Sequence, residues 1–131
     1  MASNPPAVGP RPGSAKVGHF EPGLAYVDLH GEHDLSTKGV LKPALAEAAA
    51  HSNVMVDLSD CDFMDSTVVL WLIQTAREVQ ARAEILALVI PVTQTEVARV
   101  AGLLNLSAVF PIYPSRQAAL TVLQASNRSR A

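Results

Sequence analysis

The chain has 131 residues, of which 49% are hydrophobic and only 5% aromatic, so a single domain with an aliphatic core is expected. Its net charge of −2 provides no basic surface, which argues against nucleic-acid or anionic-lipid binding. Cys61 is the only cysteine, no apolar run approaches the ~20 residues of a membrane span, and no secretory signal is evident; together these features predict a cytoplasmic protein.

Both ends of the chain differ in composition from the middle. Residues 1–15 are rich in proline, glycine and serine, a mixture that cannot form a packed core and favours an extended arm. The last residues, 127–131, are polar and lack an apolar pattern. We therefore predict a flexible arm over 1–15, a folded domain over 16–126 and a disordered tail over 127–131.

Strand and helix signals alternate within the folded part. In chain order, we predict a strand over 24–30, a helix over 36–50, a strand over 53–58, a helix over 66–82, a strand over 84–90, a helix over 95–104, a short edge strand over 108–112 and a helix over 115–125. Ser36 and Ser115 are the expected N-caps of the first and last helices. Pro43 favours a start of the first helix nearer Val40, because an interior proline costs about 3 kcal/mol. The alternation predicts an α/β sheet with right-handed crossovers.

Residues 62–68, with the sequence Asp-Phe-Met-Asp-Ser-Thr-Val, connect the second predicted strand to the second helix. Ser66 stands in the expected N-cap position, and Asp62 and Asp65 precede it. A phosphate on this hydroxyl would meet backbone N–H groups and the positive end of the helix dipole. Most serines in such a setting are only caps, and from the residue alone a plain N-cap is the better interpretation.

The second helix carries a tryptophan whose role is ambiguous. At 100° per residue, one side of the helix should face the sheet, and this side contains Val69, Leu72, Ile73, Ala76 and Val79. Trp71 projects nearly opposite, on the side of Glu78 and Arg82. It is either an interface anchor or a residue that packs under a neighbouring loop or the N-terminal arm.

Two short stretches resemble motifs of a known family. They are Gly31-Glu32-His33-Asp34 and Phe63-Met64-Asp65-Ser66-Thr67. The first matches the G-E-x-D motif, and the second the D-S-[ST] motif after a hydrophobic pair, of STAS domains in the anti-sigma factor antagonist (anti-anti-sigma factor) branch. The resemblance extends over 16–126. It implies an α/β STAS-type fold, with a roughly four-stranded mixed sheet and about four helices mainly on one side.

The resemblance also implies a function. Ser66, with Thr67 as the less favoured choice, would accept phosphate from a partner that is both an anti-sigma factor and a serine kinase. The unphosphorylated chain would bind this partner and release a sigma factor for transcription, and phosphorylation would end the binding. The chain would be a substrate without a cofactor and not an enzyme, a phosphatase could reset it, and a homodimer is compatible with the family. The residues expected at the partner surface are Glu32, Asp34, Asp62, Met64, Asp65, Ser66, Thr67, Val68 and Trp71.

The sequence departs from the family pattern at Val68 and Leu70, which replace two glycines that would leave the helix start bare. Val68 is expected to add bulk beside the Ser66 hydroxyl. This departure keeps a second hypothesis open, a STAS scaffold of the stressosome or transporter-associated kind that has no phosphate switch. A small-ligand-binding or hydrolytic domain is a third hypothesis, but no nucleophile and base form a recognisable pair.

Other polar clusters are interpreted as structural. The aspartates at 57, 60, 62 and 65 are expected to be turn and cap residues, because the acidic pair and the lysine of a receiver domain are missing. His30 and His33 are expected to lie in a polar loop, since their spacing at a strand end does not aim them at one metal ion. Cys61 is expected to be a small buried residue.

Overall fold

The computed structural model describes residues 11–129 of the chain. The elements in chain order are β1 (Ser14–Glu21), β2 (Leu24–His33), α1 (Lys38–Ala49), β3 (Asn53–Met64), α2 (Ser66–Gln80), β4 (Leu86–Val89), α3 (Thr95–Leu103), β5 (Ile112–Tyr113) and α4 (Arg116–Ser129). Two 3-10 turns, Leu35–Thr37 and Leu106–Ala108, precede α1 and follow α3. The predicted alternation of strands and helices is confirmed.

The strands form one five-stranded sheet in the order β1-β2-β3-β4-β5. The first two strands make an antiparallel hairpin, and β2 to β5 run parallel. Because β2, β3 and β4 are parallel, the loops that leave their carboxyl ends meet at the same edge of the sheet. The loops leading to α1, α2 and α3 all start from this edge.

Side chains alternate across the central strands and build two layers of core. In β3, Val54 and Val56 pack on the face covered by α1, α2 and α3, whereas Met55 packs on the opposite face against Ala119 and Leu123 of α4. All five side chains are fully buried. Burial of a valine, leucine or methionine side chain stabilises the fold by roughly 1.5–3 kcal/mol. Three helices thus lie on one face and one on the other, as predicted.

The sheet has five strands instead of the roughly four that we predicted. The additional strand is β1, which pairs with β2 from Ser14↔His30 to Glu21↔Leu24. It is an edge strand with half-exposed side chains, and Gly18 interrupts its apolar pattern to leave room for the ring of Tyr26. An edge strand of this kind has no alternation strong enough to recognise in the sequence.

The structure corrects several predicted boundaries. The strand predicted over 53–58 continues to Met64, and the strand predicted over 24–30 continues to His33. The last helix, α4, continues through Ser129, so residues 127–129 of the predicted tail are helical, and the Asn127 side chain donates to the Glu21 carboxylate at 2.8 Å. The first α-helix begins at Lys38 and contains Pro43 well inside it, so Ser36 is not its N-cap but lies in the preceding 3-10 turn. The edge strand after α3 is limited to Ile112–Tyr113, because residues 106–108 form a 3-10 turn. Residues 1–10 of the predicted arm and residues 130–131 of the predicted tail lie outside the described residues. Ser14 and Ala15, which we also assigned to the arm, are the first residues of β1.

Candidate functional site

The parallel register of β2 and β3 brings the two motif segments together. Glu32 pairs with Phe63, and His33 pairs with Met64, at the carboxyl ends of the two strands. The chain then leaves β2 at Asp34 and β3 at Asp65, from neighbouring positions on the same edge. This edge is the candidate functional site.

Ser66 is the first residue of α2 and is exposed. The residue that caps the helix is Asp65, whose backbone is extended and whose Oδ1 accepts a hydrogen bond from the Val68 amide at 3.1 Å. The prediction that Ser66 is the N-cap is therefore wrong by one position. An aspartate caps as well as a serine does, and its charge is stabilised by the helix dipole. As a result, the Ser66 hydroxyl is not used for capping.

The start of α2 has the backbone geometry of an anion site. The first N–H groups of a helix have no partner within the helix, and here the Asp65 carboxylate accepts from the third of them, that of Val68. The amides of Ser66 and Thr67 precede Val68 in the first turn and likewise have no acceptor within the helix. An anion carried on the Ser66 hydroxyl would lie beside these amides and beside the Asp65 carboxylate.

The loop after β2 presents a second carboxylate at the same edge. Asp34 Oδ1 accepts hydrogen bonds from the Ser36 hydroxyl at 2.5 Å and the Ser36 amide at 2.8 Å, and so caps the turn Leu35–Thr37. These two bonds lower the pKa of Asp34 below its usual value. The carboxylate is therefore ionised at neutral pH and fixed in direction.

The two histidines of this region have different environments. His33 is fully buried, with Nδ1 3.1 Å from Thr37 Oγ1 and Nε2 3.2 Å from the carbonyl oxygen of Ser14. Burial lowers its pKa, which favours the neutral imidazole. His30 lies at the surface with Nδ1 2.7 Å from Asp60. Both histidines belong to strand β2 and not to a polar loop, and His33 is a core residue. Within residues 11–129 no cluster of three or more metal-binding side chains is present.

Sequence reasoning missed a basic residue at this edge. The Arg11 guanidinium makes an ion pair with Asp62 at 2.8 Å and another with Asp60 at 3.0 Å, across about 50 positions of the chain. Arg11 lies in the proline-rich segment, where composition alone indicates no partner. The acidic stretch that precedes Ser66 is therefore partly neutralised from within the chain.

Three residues expected at the partner surface are buried. Met64 and Val68 are fully buried, and Trp71 is 6% exposed. Val68 points into the core and not beside the Ser66 hydroxyl, while Leu70 is 50% exposed on the outer face of α2. The residues of the expected surface that remain accessible are Glu32, Asp34, Asp62, Asp65, Ser66 and Thr67.

Trp71 lies where α1 meets α2, in the same core cluster as Leu45, and both residues line a small cavity between the two helices. A helical wheel with one buried face treats this side of α2 as solvent-facing, but α1 covers it. Trp71 is therefore a core residue beside α1, and the alternative of an exposed interface anchor is wrong. Val69, Leu72, Ala76 and Val79 are buried and Ile73 is partly buried, which confirms the predicted inner face.

Comparisons with known proteins agree with this architecture. The family model described as "STAS domain" matches residues 19–119. An anti-sigma factor antagonist from Mycobacterium paratuberculosis is 26% identical, with a TM-score of 0.75 over 86% of this chain and 95% of that one. A comparison with curated protein sequences gives no significant match.

Two structures of SpoIIAA have the same fold. The unphosphorylated form of this anti-sigma factor antagonist is 19% identical, with a TM-score of 0.69 over 83% of this chain and 96% of that one. The phosphorylated form, described as a Bacillus cell fate determinant, is 17% identical, with a TM-score of 0.63 over 82% of this chain and 97% of that one. The family match covers most of the chain, and the fold agrees with it. This chain belongs to the STAS domain family.

Proposed function

We propose that this chain is an anti-sigma factor antagonist that binds an anti-sigma factor with serine kinase activity, and that phosphorylation of Ser66 ends the binding. The observation that carries the proposal is the position of Ser66, an exposed first residue of α2 whose capping role is taken by Asp65. The similar solved structures support it, because they are anti-sigma factor antagonists and one of them is a phosphorylated form.

The proposed switch is electrostatic. A phosphoserine carries about −1.5 to −2 charges at pH 7, and at residue 66 this charge would stand next to Asp65 and near the exposed Asp62. The helix N-terminus stabilises the phosphate locally, so the fold is retained. A partner surface that is acidic or apolar where it faces the start of α2 would be repelled, or would have to remove water from a dianion. Thr67 is half-buried and is the less favoured acceptor.

The replacement of two family glycines does not block the hydroxyl. The Val68 side chain is directed into the core, so its bulk does not stand between Ser66 and an approaching kinase. Of the two residues that replace the glycines, only Leu70 is accessible to a partner, because it is 50% exposed one helical turn after Ser66. We infer that Leu70 contributes to the choice of partner.

The remaining features of the proposal follow from this role. The partner kinase supplies the nucleotide and the catalytic groups, so the chain acts as a substrate and binding protein without a cofactor or an activity of its own. A phosphatase that hydrolyses the phosphoserine would reset the switch. Within residues 11–129, no helix is long and apolar enough to cross a bilayer. We place the function in the cytoplasm, where sigma factors act.

A pull-down from lysate of the source cells tests the proposal. The baits are wild type, Ser66→Ala, Ser66→Glu and the control Gln117→Glu, which adds the same single charge at an exposed position of α4 on the other face of the sheet. We expect wild type, Ser66→Ala and Gln117→Glu to capture an ATP-binding anti-sigma protein, and Ser66→Glu to lose it. Equal capture by all four baits, or capture of no such protein, would contradict the switch.

The scaffold hypothesis is the second candidate, and exposed apolar side chains on two helices favour it. Leu70 of α2 is 50% exposed and Leu103 of α3 is 72% exposed. Such residues suit contacts between copies of a domain. Light scattering of purified wild type and Ser66→Glu distinguishes the two functions. A stable oligomer that forms equally in both proteins supports the scaffold, and monomers or an oligomer that depends on Ser66 support the switch.

A further inference from the structure

Residues 11–13, here called the strap, lie across the carboxyl ends of β2 and β3 before β1 begins. The Arg11 carbonyl oxygen accepts a hydrogen bond from the Glu32 amide at 3.1 Å. Two glycines allow this close approach. A Cβ at Gly31 would lie 2.4 Å from the Pro12 oxygen, and a Cβ at Gly13 would lie 2.3 Å from the Glu32 oxygen. The absence of a side chain at both glycines therefore lets the strap lie directly against the sheet edge.

The strap is fastened by the Arg11 guanidinium. Its Nε and Nη2 atoms form a two-pronged contact with the Asp62 carboxylate at 2.8 and 2.9 Å. Nη2 also contacts Asp60, at 3.0 Å to Oδ1 and 2.9 Å to the carbonyl oxygen, and Nη1 lies 3.3 Å from Oδ2. His30 shares the Asp60 carboxylate at 2.7 Å. One arginine therefore satisfies most of the acceptors that these two aspartates present.

The ion pairs of Arg11 with Asp60 and Asp62 have short, well-directed contacts, but they are exposed to solvent. The side chains of Arg11, Asp60 and Asp62 are 51%, 53% and 41% exposed. Ion pairs in such positions are screened by water and salt and contribute little to stability. The strap can therefore open without unfolding the domain, and a second cation can compete for the same carboxylates.

The strap also forms one wall of a cavity at the candidate site. This cavity has a volume of about 440 Å³ and lies between the strap and the segment that contains Glu32, Asp34, Ser36, Thr37 and Val40. Lifting the strap would open the cavity and expose the carboxylates of Asp60 and Asp62 at the same time. Both changes occur at the edge that contains Ser66.

We propose that the strap is an autoinhibitory contact in which Arg11 occupies Asp60 and Asp62 in place of an arginine of the partner. The partner binds the open form, so its apparent affinity is reduced by the fraction of molecules in which the strap is closed. The identity of this partner rests on the proposed function, whereas the closure of the strap is a property of the chain alone. His30 keeps Asp60 oriented when Arg11 leaves.

Amide hydrogen exchange of the full chain tests the closure. The Glu32 amide reports the strap, and the Leu88 amide, bonded to the Pro111 oxygen at 2.9 Å, reports global stability. We expect Arg11→Gln to accelerate exchange at Glu32 about three- to tenfold and to leave Leu88 unchanged. The control is Arg99→Gln, which removes an exposed arginine paired with Glu96 and should leave both amides unchanged. Exchange at Glu32 that is equal in wild type and Arg11→Gln would overturn the proposal.

The second part of the proposal, that another arginine can replace Arg11 on Asp60 and Asp62, is tested by competition with an arginine peptide. The probe is the blocked tripeptide acetyl-Gly-Arg-Gly-amide, and the readout is the carboxyl ¹³C shift of Asp60 and Asp62. We expect Arg11→Gln to respond at a several-fold lower peptide concentration than wild type, and Arg11→Gln/Asp62→Asn to lose the response. Equal titration of wild type and Arg11→Gln, or no response in Arg11→Gln, would overturn it. Neither experiment uses an anti-sigma factor, so failure of the strap and failure of the proposed function are distinguishable.

Discussion

The carboxylate of Asp65 caps helix α2 by accepting a hydrogen bond from the amide of Val68, with 3.1 Å between Oδ1 and N. This contact separates two roles that the sequence alone assigns to one residue. Asp65 stabilises the helix start, and Ser66 is left at the surface as the group that can be modified. A phosphate at Ser66 therefore changes the surface without removing the cap.

The first prediction compares how much Asp65 and Ser66 contribute to the free energy of unfolding. Asp65→Ala should lower the free energy of unfolding by about 1 kcal/mol, because loss of an N-cap leaves the Val68 amide without its acceptor. Ser66→Ala should change it by less than about 0.5 kcal/mol, since alanine is favourable in the first turn of a helix. Urea unfolding of the two variants and wild type measures both values. A larger loss for Ser66→Ala than for Asp65→Ala would show that the serine is the cap.

The second prediction concerns Arg116 at the start of α4. Its Nη1 atom lies 2.6 Å from Asp28 and 2.7 Å from Asp57, and its guanidinium lies over the ring of Tyr26 at 4.9 Å. Asp57 is 7% exposed, so removal of the arginine leaves a buried carboxylate without its cation. We expect Arg116→Met to destabilise the fold by about 2 kcal/mol, less than for a fully buried pair because Arg116 itself is partly exposed.

The control for this prediction is Arg128→Met, which removes an exposed arginine near the other end of α4. It should change stability by less than about 0.5 kcal/mol. Thermal and urea unfolding of both variants give the comparison. Equal effects of the two substitutions would mean that the pairing of Arg116 with Asp28 and Asp57 contributes nothing measurable.

Much of the fold could be predicted because its central strands and helices have strong apolar patterns. The run from Leu86 to Val89 is buried on both faces, and the inner face of α2 follows the helical period. The edge strand β1 has no such pattern, because its side chains are mostly half-exposed.

The candidate site was predictable only in part, because some of its features depend on contacts between elements that are distant in the sequence. The two motif segments could be identified by type and spacing, but the sequence does not show which side of α2 another helix covers. Trp71 was therefore placed on a polar face although α1 buries it. The contact of Arg11 with Asp62 spans 51 positions and depends on tertiary structure that no local pattern encodes.

The third prediction concerns the reactivity of Cys61. The thiol is buried and donates to the Phe63 carbonyl oxygen at 3.3 Å, and burial raises its pKa to about 11. At pH 8 about one thiol in a thousand is then ionised, compared with about one in ten for an ordinary pKa of 9.0. We expect alkylation of the native protein to be at least about 100-fold slower than alkylation of the unfolded chain.

Iodoacetamide labelling followed by mass spectrometry measures this rate. The control is Ser107→Cys in a Cys61→Ala background, which places a thiol at an exposed position. This thiol should react at nearly the same rate in the folded and unfolded proteins. Rapid labelling of Cys61 in the native wild type would contradict the burial of the strand that precedes Ser66.

The fourth prediction concerns the pH dependence of stability. Burial lowers the pKa of His33 below its ordinary value of 6.5, so the unfolded chain takes up a proton at a higher pH than the folded protein does. Stability is therefore fully present above pH 6.5 and falls as the pH decreases toward the folded pKa, by at most about 1.4 kcal/mol per pH unit for one proton. Asp34 and Asp60, whose pKa values are lowered by hydrogen bonds from Ser36 and Arg11, lose their contributions only below about their ordinary pKa of 3.8.

Between pH 6.5 and 5 the loss of stability should therefore depend on His33, because both carboxylates remain ionised in the folded and unfolded chains. His33→Gln removes the titrating group, so its stability should be lower than wild type at pH 7 but nearly constant across this interval. His19→Gln, a substitution at an exposed histidine, should keep the slope of wild type. Urea unfolding at several pH values measures the slopes. A wild-type slope that persists in His33→Gln would mean that the imidazole between Ser14 and Thr37 does not govern acid sensitivity.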